Sequence, residues 1–168
     1  TRVLRSRFLD GLLQASALSR GRRRLWFKAE AFQRTGSFKI RGALNAAFLS
    51  PEGVTLVTHS SGNHAQALAL AAKLSGRRAH IVMPETAPDV KVAAVRGYGA
   101  EITFCAPTNE ARAAEAERVR AAVGGHFVHP SNDANVIAGQ GTLALELLEQ
   151  VPQLDCLVVP IGGGGLTS

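Results

Sequence analysis

Short apolar, β-branched runs alternate with alanine-rich stretches along most of these 168 residues, and that rhythm restricts the fold more than any other feature. Strands are predicted at 25–30, 54–58, 79–83, 101–105, 127–129 and 156–159. Helices are predicted at 38–49, 63–74, 89–96, 109–122 and 133–150, the last after an irregular start. A strand that leads into a helix returns to the sheet as a parallel neighbour, through a right-handed crossover. The expected fold class is α/β, with parallel open sheets flanked by helices. Gly97, Gly99, Gly124 and Gly125 fall where helices should stop.

Composition narrows the function. No apolar run approaches the roughly 20 residues of a membrane span, so no membrane partner is expected. The formal charge of +6 comes largely from arginine, with a cluster at Arg20, Arg22, Arg23 and Arg24. One Trp and one Tyr give almost no stacking platform, so the cluster is taken as a solvated loop and not as a nucleic-acid footprint. Cys105 and Cys156 each sit in an apolar strand-like run, where buried thiols of a reducing, cytoplasmic compartment are expected. The arginine-rich, acid-poor residues 1–24 also fit an organellar transit peptide.

Ligands of such sheets gather at the carboxyl ends of the strands. Glycine- or serine-rich loops follow Glu30, Thr58 and Val159, all at that edge. In the first, Lys39 falls in the opening turn of a predicted helix that Thr35 or Ser37 is placed to cap. The helix dipole and burial both disfavour an ammonium there, which frees the amine to attack a carbonyl. The second loop, His59-Ser60-Ser61-Gly62-Asn63-His64, opens a helix whose unpaired N–H groups suit a carboxylate, with Ser60 or Ser61 as N-cap. His59 and His64 lack further ligands at metal-binding spacing. The third loop carries Gly162, Gly163, Gly164 and Gly165, more glycines than a turn needs. Bare backbone there can curl around a phosphate. A dinucleotide fingerprint has other spacing, and a Walker loop needs a lysine that is missing. An amine and a phosphate cup together suit a cofactor that carries an aldehyde and a phosphate.

Several stretches together resemble the fold-type II pyridoxal-phosphate enzymes of the serine/threonine dehydratase group. They are Phe32-Gln33-Arg34-Thr35-Gly36-Ser37-Phe38-Lys39-Ile40-Arg41-Gly42-Ala43, residues 58–68, Val82-Met83-Pro84, Tyr98-Gly99-Ala100, His129-Pro130, 136–142 and 159–166. The resemblance implies a first part of a large cofactor domain at 1–57, a small open αβα domain at 58–150, and a return to the large domain at 151–168, cut at the phosphate loop. It implies pyridoxal 5'-phosphate joined to Lys39 through its aldehyde, with Phe38 near the ring, Asn63 on the ring hydroxyl, and Gly162 to Gly165 with Leu166 around the phosphate. Ser60, Ser61, Asn63, His64 and Arg112 would take the carboxylate of a small amino-acid substrate. Arg34, Thr35, Gln66, Lys91 and Tyr98 match positions that bind ATP as an activator in one branch. No metal ligand is expected in this stretch, Mg2+ being held in a C-terminal part, and the full-length protein should be a homodimer.

The implied reaction is racemisation or β-elimination of L-serine or a related β-hydroxy amino acid. Lys39 would take the Cα proton on one face, and Ser61 would return one on the other. Threonine or threo-3-hydroxyaspartate dehydration is the enzymatic alternative. A truncated, catalytically silent product that at most binds a partner is the other. Three departures stand out: Arg2 in place of an opening proline, a longer segment at 14–24, and Ser131 where some relatives carry asparagine near the cofactor.

Overall fold

The structure is a computed structural model that describes residues 1–15 and 23–168. Two short strands, β1 (Val3–Leu4) and β2 (Phe27–Lys28), pair antiparallel around helix α1 (Arg7–Ala15). Two 3-10 turns, Glu30–Phe32 and Arg34–Gly36, lead into α2 (Lys39–Leu49). Strands and helices then alternate through β3 (Leu56–His59), α3 (Asn63–Leu74), β4 (Ala79–Pro84), α4 (Asp89–Gly97) and β5 (Glu101–Cys105). The series ends with α5 (Asn109–Val123), β6 (His126–Phe127) and α6 (Ala134–Gln150).

The four later strands form one parallel sheet in the order β5-β4-β3-β6, with Leu56 opposite Ala79, Val57 opposite Phe127 and Ile81 opposite Ile102. Alternate side chains of a strand face opposite sides. Leu56, Ile81 and Met83 therefore join Ile40, Leu68, Val95 and Val136 of α2, α3, α4 and α6 in the main core. Val57 and Val82 point the other way, onto Ala116 and Val119 of α5. Burial on both faces explains why these strands read as continuous apolar runs.

Alanine content sets how closely the helices approach. Ala43, Ala46 and Ala47 of α2 and Ala65, Ala69 and Ala72 of α3 are all almost fully buried. The tightest crossing is α2 on α6. A methyl group at Gly139 would stand 2.6 Å from the Gly42 Cα, and one at Gly42 would stand 2.5 Å from the Val136 carbonyl. Gln140 donates nothing here but accepts the Gly42 N–H through its Oε1 at 3.1 Å. Arg41 adds an ionic tie, with Glu30 oxygens at 2.8 and 2.9 Å and Glu146 at 2.7 Å, while Lys28 reaches Glu146 at 2.5 Å. These contacts fix the N-terminal half of α2 against α6 itself.

Several expectations need correction. The 25–30 strand shrinks to Phe27–Lys28 and is antiparallel, because its partner is the nearby N-terminal strand and not a crossover strand. Neither Thr35 nor Ser37 caps α2: Thr35 takes φ 64°, the Ser37 hydroxyl is buried without a partner, and Phe38 holds the N-cap position. Gly62, not Ser60 or Ser61, is the N-cap of α3. Residues 156–159 form no strand, since no described segment offers a pairing edge beside them. Cys156 is consequently exposed and not a core thiol, whereas Cys105 is half-buried in edge strand β5. Arg20 and Arg22 lie outside the described residues, while Arg23 and Arg24 are exposed. The expected stops hold at Gly99 and Gly124, which adopt φ 88° and 58°.

Candidate active site

The carboxyl edge of the sheet collects the chemistry-bearing loops. β3 ends at His59 and turns through Ser60-Ser61-Gly62 into α3, with the Ser60 hydroxyl accepting the Gly62 N–H at 3.2 Å. No side chain caps α3, so its first amides remain available to an anion. β6 stops at Phe127, and Val128 still pairs its N–H with Val57. The chain then turns through His129-Pro130-Ser131 toward α6, which Asp133 caps through the amides of Asn135 and Val136.

Lys39, the first residue of α2, reaches into this turn. Its Nζ donates to the Pro130 carbonyl at 2.6 Å and stands 5.2 Å from the centre of the Phe38 ring. Among the described residues no carboxylate forms an ion pair with it. Burial therefore pushes the Lys39 amine below the ordinary lysine range. The neighbouring residue, Ser131, is the surface on which the glycine loop rests. A Cβ at Gly163 would lie 2.8 Å from the Ser131 hydroxyl, and one at Gly165 2.7 Å from its carbonyl. Lys39 and the glycine loop thus meet on consecutive residues, Pro130 and Ser131. Among the described residues, the amides of Gly162 to Leu166 donate to no carbonyl or side chain, whereas those of Thr167 and Ser168 both turn back to the Gly164 carbonyl.

The family model for "pyridoxal-phosphate dependent enzyme" matches residues 11–168. This chain belongs to the pyridoxal-phosphate dependent enzymes. Serine racemase of Homo sapiens is 57% identical over 150 residues, which cover 86% of this chain and 44% of that protein. The β-hydroxyaspartate dehydratase of Paracoccus denitrificans (strain Pd 1222) is 53% identical over 149 residues, 86% of this chain and 47% of that protein. The solved structure of maize serine racemase superposes with a TM-score of 0.90 at 46% identity, covering 99% of this chain and 49% of that one. The chain spans slightly less than half the length of these relatives.

The residues present fit a pyridoxal phosphate. Glycine is required where the loop meets Ser131, a desolvated amine stands beside that contact, and a row of free amides follows. Other expected site residues are distributed unevenly. Asn63 is exposed and its Oδ1 accepts from Lys91 Nζ at 3.0 Å, so one residue expected on the cofactor and one expected on ATP hold each other across α3 and α4. His64 is buried and its Nε2 lies 3.3 Å from the Val128 carbonyl. Burial, then the charge of Lys39, brings it down to about 3, which keeps it neutral. Arg112, in the first turn of α5, contacts Thr108 O at 3.3 Å and the Asn109 side chain. Its charge still reaches His59, whose pKa falls through burial first and Arg112 second.

Of the residues expected on ATP, Arg34 is exposed, Thr35 half-buried, Gln66 buried in the first turn of α3, and Tyr98 packs against the main core at the end of α4. The 34–36 turn touches α3, and α3 touches α4, so the elements that carry these residues are neighbours. His59, Phe127 and His129 meet in tilted and T-shaped ring contacts, with centroids 5.6 to 6.4 Å apart, around a cavity of about 270 Å³ that Ala113 and Glu117 complete. Sequence reasoning gave no role to His129 or Pro130. The dipeptide after a strand, at the same sheet edge as the other loops, was the available signal. Among the described residues no three His, Cys, Asp or Glu side chains gather as for a metal, and no helix is long and apolar enough to cross a membrane.

Proposed function

We propose that this chain is the N-terminal part of a pyridoxal-phosphate enzyme that racemises L-serine, or a related β-hydroxy amino acid, or removes its hydroxyl by β-elimination. The observation that carries the reading is the meeting of Lys39 and the glycine loop on Pro130 and Ser131. Lys39 would hold the cofactor aldehyde, Phe38 would flank the ring, Asn63 would bond its hydroxyl, and Gly162 through Gly165 with Leu166 would hold the phosphate by their amides. When bound, the cofactor supplies an aldehyde that captures the substrate amine and a ring that withdraws negative charge from the neighbouring carbon.

The chain's own residues do the rest. The uncapped start of α3, with Ser60, Ser61 and Asn63, receives the substrate carboxylate, and Arg112 adds positive charge from α5. His64, buried in the first turn of α3, ties that helix to the Val128 carbonyl. Burial lowers the basicity of Lys39 and so favours the neutral amine, the form that accepts the Cα proton. Ser61 Oγ–H returns a proton to the opposite face, which inverts the centre; without that return, loss of the hydroxyl prevails. The same reading places the protein in the cytoplasm as a homodimer when full length. It places ATP at Arg34, Thr35, Gln66, Lys91 and Tyr98, and Mg2+ in the part of its relatives that this chain does not span.

A second reading, a catalytically silent fragment, draws on the exposed segment at 157–161, where Val158 is 89% and Ile161 77% exposed. One titration separates the two. Added pyridoxal phosphate should produce the absorbance band of the protein-bound cofactor, and Lys39→Ala should abolish it. A wild-type chain without a band would favour the silent fragment.

A further inference from the structure

His129 lies one residue before the carbonyl that receives Lys39, and its ring is used twice. Its Nδ1 accepts the backbone N–H of Ser131 at 3.1 Å and that of Asn132 at 2.9 Å. A nitrogen that accepts two N–H bonds carries no proton, so the imidazole is neutral with its hydrogen on Nε2. Ser131 N and Pro130 O belong to the same peptide group, which is planar and places its N–H and C=O on opposite sides. That peptide is therefore gripped at both ends, by His129 Nδ1 on the nitrogen side and by Lys39 Nζ on the oxygen side. Bonds aligned in this way polarise one another.

We propose that His129 is a positioning residue for Lys39: by gathering the amides of Ser131 and Asn132 it turns the Pro130 carbonyl onto the lysine amine. The inference rests on the reading of Lys39 as the residue that carries the cofactor and moves the Cα proton. After Lys39 has taken a proton, its ammonium keeps an acceptor at Pro130 and stays on the same face of the substrate. His64 of α3 adds a tie just upstream, because its Nε2 meets the Val128 carbonyl, the last one before the turn. Among the described residues, Lys39, Asp133, His59, His64 and Glu117 are titratable groups around His129. Burial, then Asp133 against Lys39, leaves its basicity below the usual histidine range, consistent with an acceptor nitrogen.

The test reads Lys39 directly. The full chain is labelled with an amine-acylating reagent across a pH series, and Lys39 acylation is followed by peptide mass spectrometry. His129→Ala frees the peptide to turn away and leaves the ammonium buried without an acceptor, so the Lys39 midpoint should fall by about one pH unit. His129→Asn offers a side-chain oxygen to the same two amides and should keep the wild-type midpoint. A merely structural role, in which the turn opens and admits water, moves the His129→Ala midpoint upward instead. A rise, no change, or an Asn variant displaced as far as the Ala variant would overturn the proposal. The labelling needs no cofactor, so it is independent of the proposed activity, which is lost only if the wild-type chain shows no absorbance band with pyridoxal phosphate.

Discussion

Ser61 is where one residue separates two outcomes. It sits in the 60–62 turn at the carboxyl end of β3, ahead of an α-helix start that no side chain caps. If its hydroxyl faces the substrate opposite Lys39, Ser61→Ala in the full-length protein should lower racemisation by about 10²-fold or more while L-serine dehydration persists, since a positioned acid or base contributes roughly that factor. Parallel assays of D-serine and pyruvate decide the matter, and equal loss of both activities removes Ser61 from this role. Lys39 was legible from sequence as an amine at a helix start. Its acceptor was not, because Pro130 is 91 residues away and offers only a backbone carbonyl, which no side-chain pattern announces.

Helices α2 and α6 hold the site at the scale of elements. Their approach depends on Gly42 and Gly139, where a methyl group would meet backbone atoms at 2.5 to 2.7 Å. Backbone cannot step aside as a flexible side chain can, so the helices must part. Gly139→Ala should therefore destabilise the fold by about 1–3 kcal/mol, the usual cost of overpacking. It should also weaken the cofactor band, since α2 carries Lys39 and α6 follows the Pro130 turn. Gly141→Ala on the same helix meets nothing within 4 Å and should stabilise by up to about 1 kcal/mol through helix propensity. Chemical denaturation of the two variants checks both signs, and equal effects would refute the close-contact account. The helices and central strands were readable from periodicity and alanine content. The caps were not, because Ser60 and Ser61 satisfy the local rule while the observed turn places Gly62 at the cap.

The buried histidine makes the whole molecule sensitive to acid. His64 titrates at about 3 in the folded chain, against an ordinary 6.5 when unfolded. Between those values the unfolded state binds a proton that the folded state refuses, so stability is full above about pH 6.5 and falls as the pH drops toward 3. The expected slope is roughly 1.4 kcal/mol per pH unit well inside that window. His64→Gln retains an N–H donor for the Val128 carbonyl but does not titrate, so its melting temperature should fall less steeply between pH 6.5 and 5. Identical slopes for the two proteins would count against a neutral, buried His64. The same scale exposes what the fold leaves uncovered. Leu145, Leu148, Leu157, Val158 and Ile161 all face solvent, on a chain that spans slightly less than half the length of its relatives.

Local chemistry determined the parallel α/β class, the helix spans and the two loops that matter most, because periodicity, glycine content and a lysine at a helix start are properties of neighbours in sequence. Tertiary structure decided the rest. It brought Lys39, His129 and Gly163 to one turn from three distant segments, and it left 156–159 outside any sheet. Hydrogen bonds to backbone carbonyls and strand pairing depend on which segments meet in space, and a linear pattern of side chains does not encode those meetings.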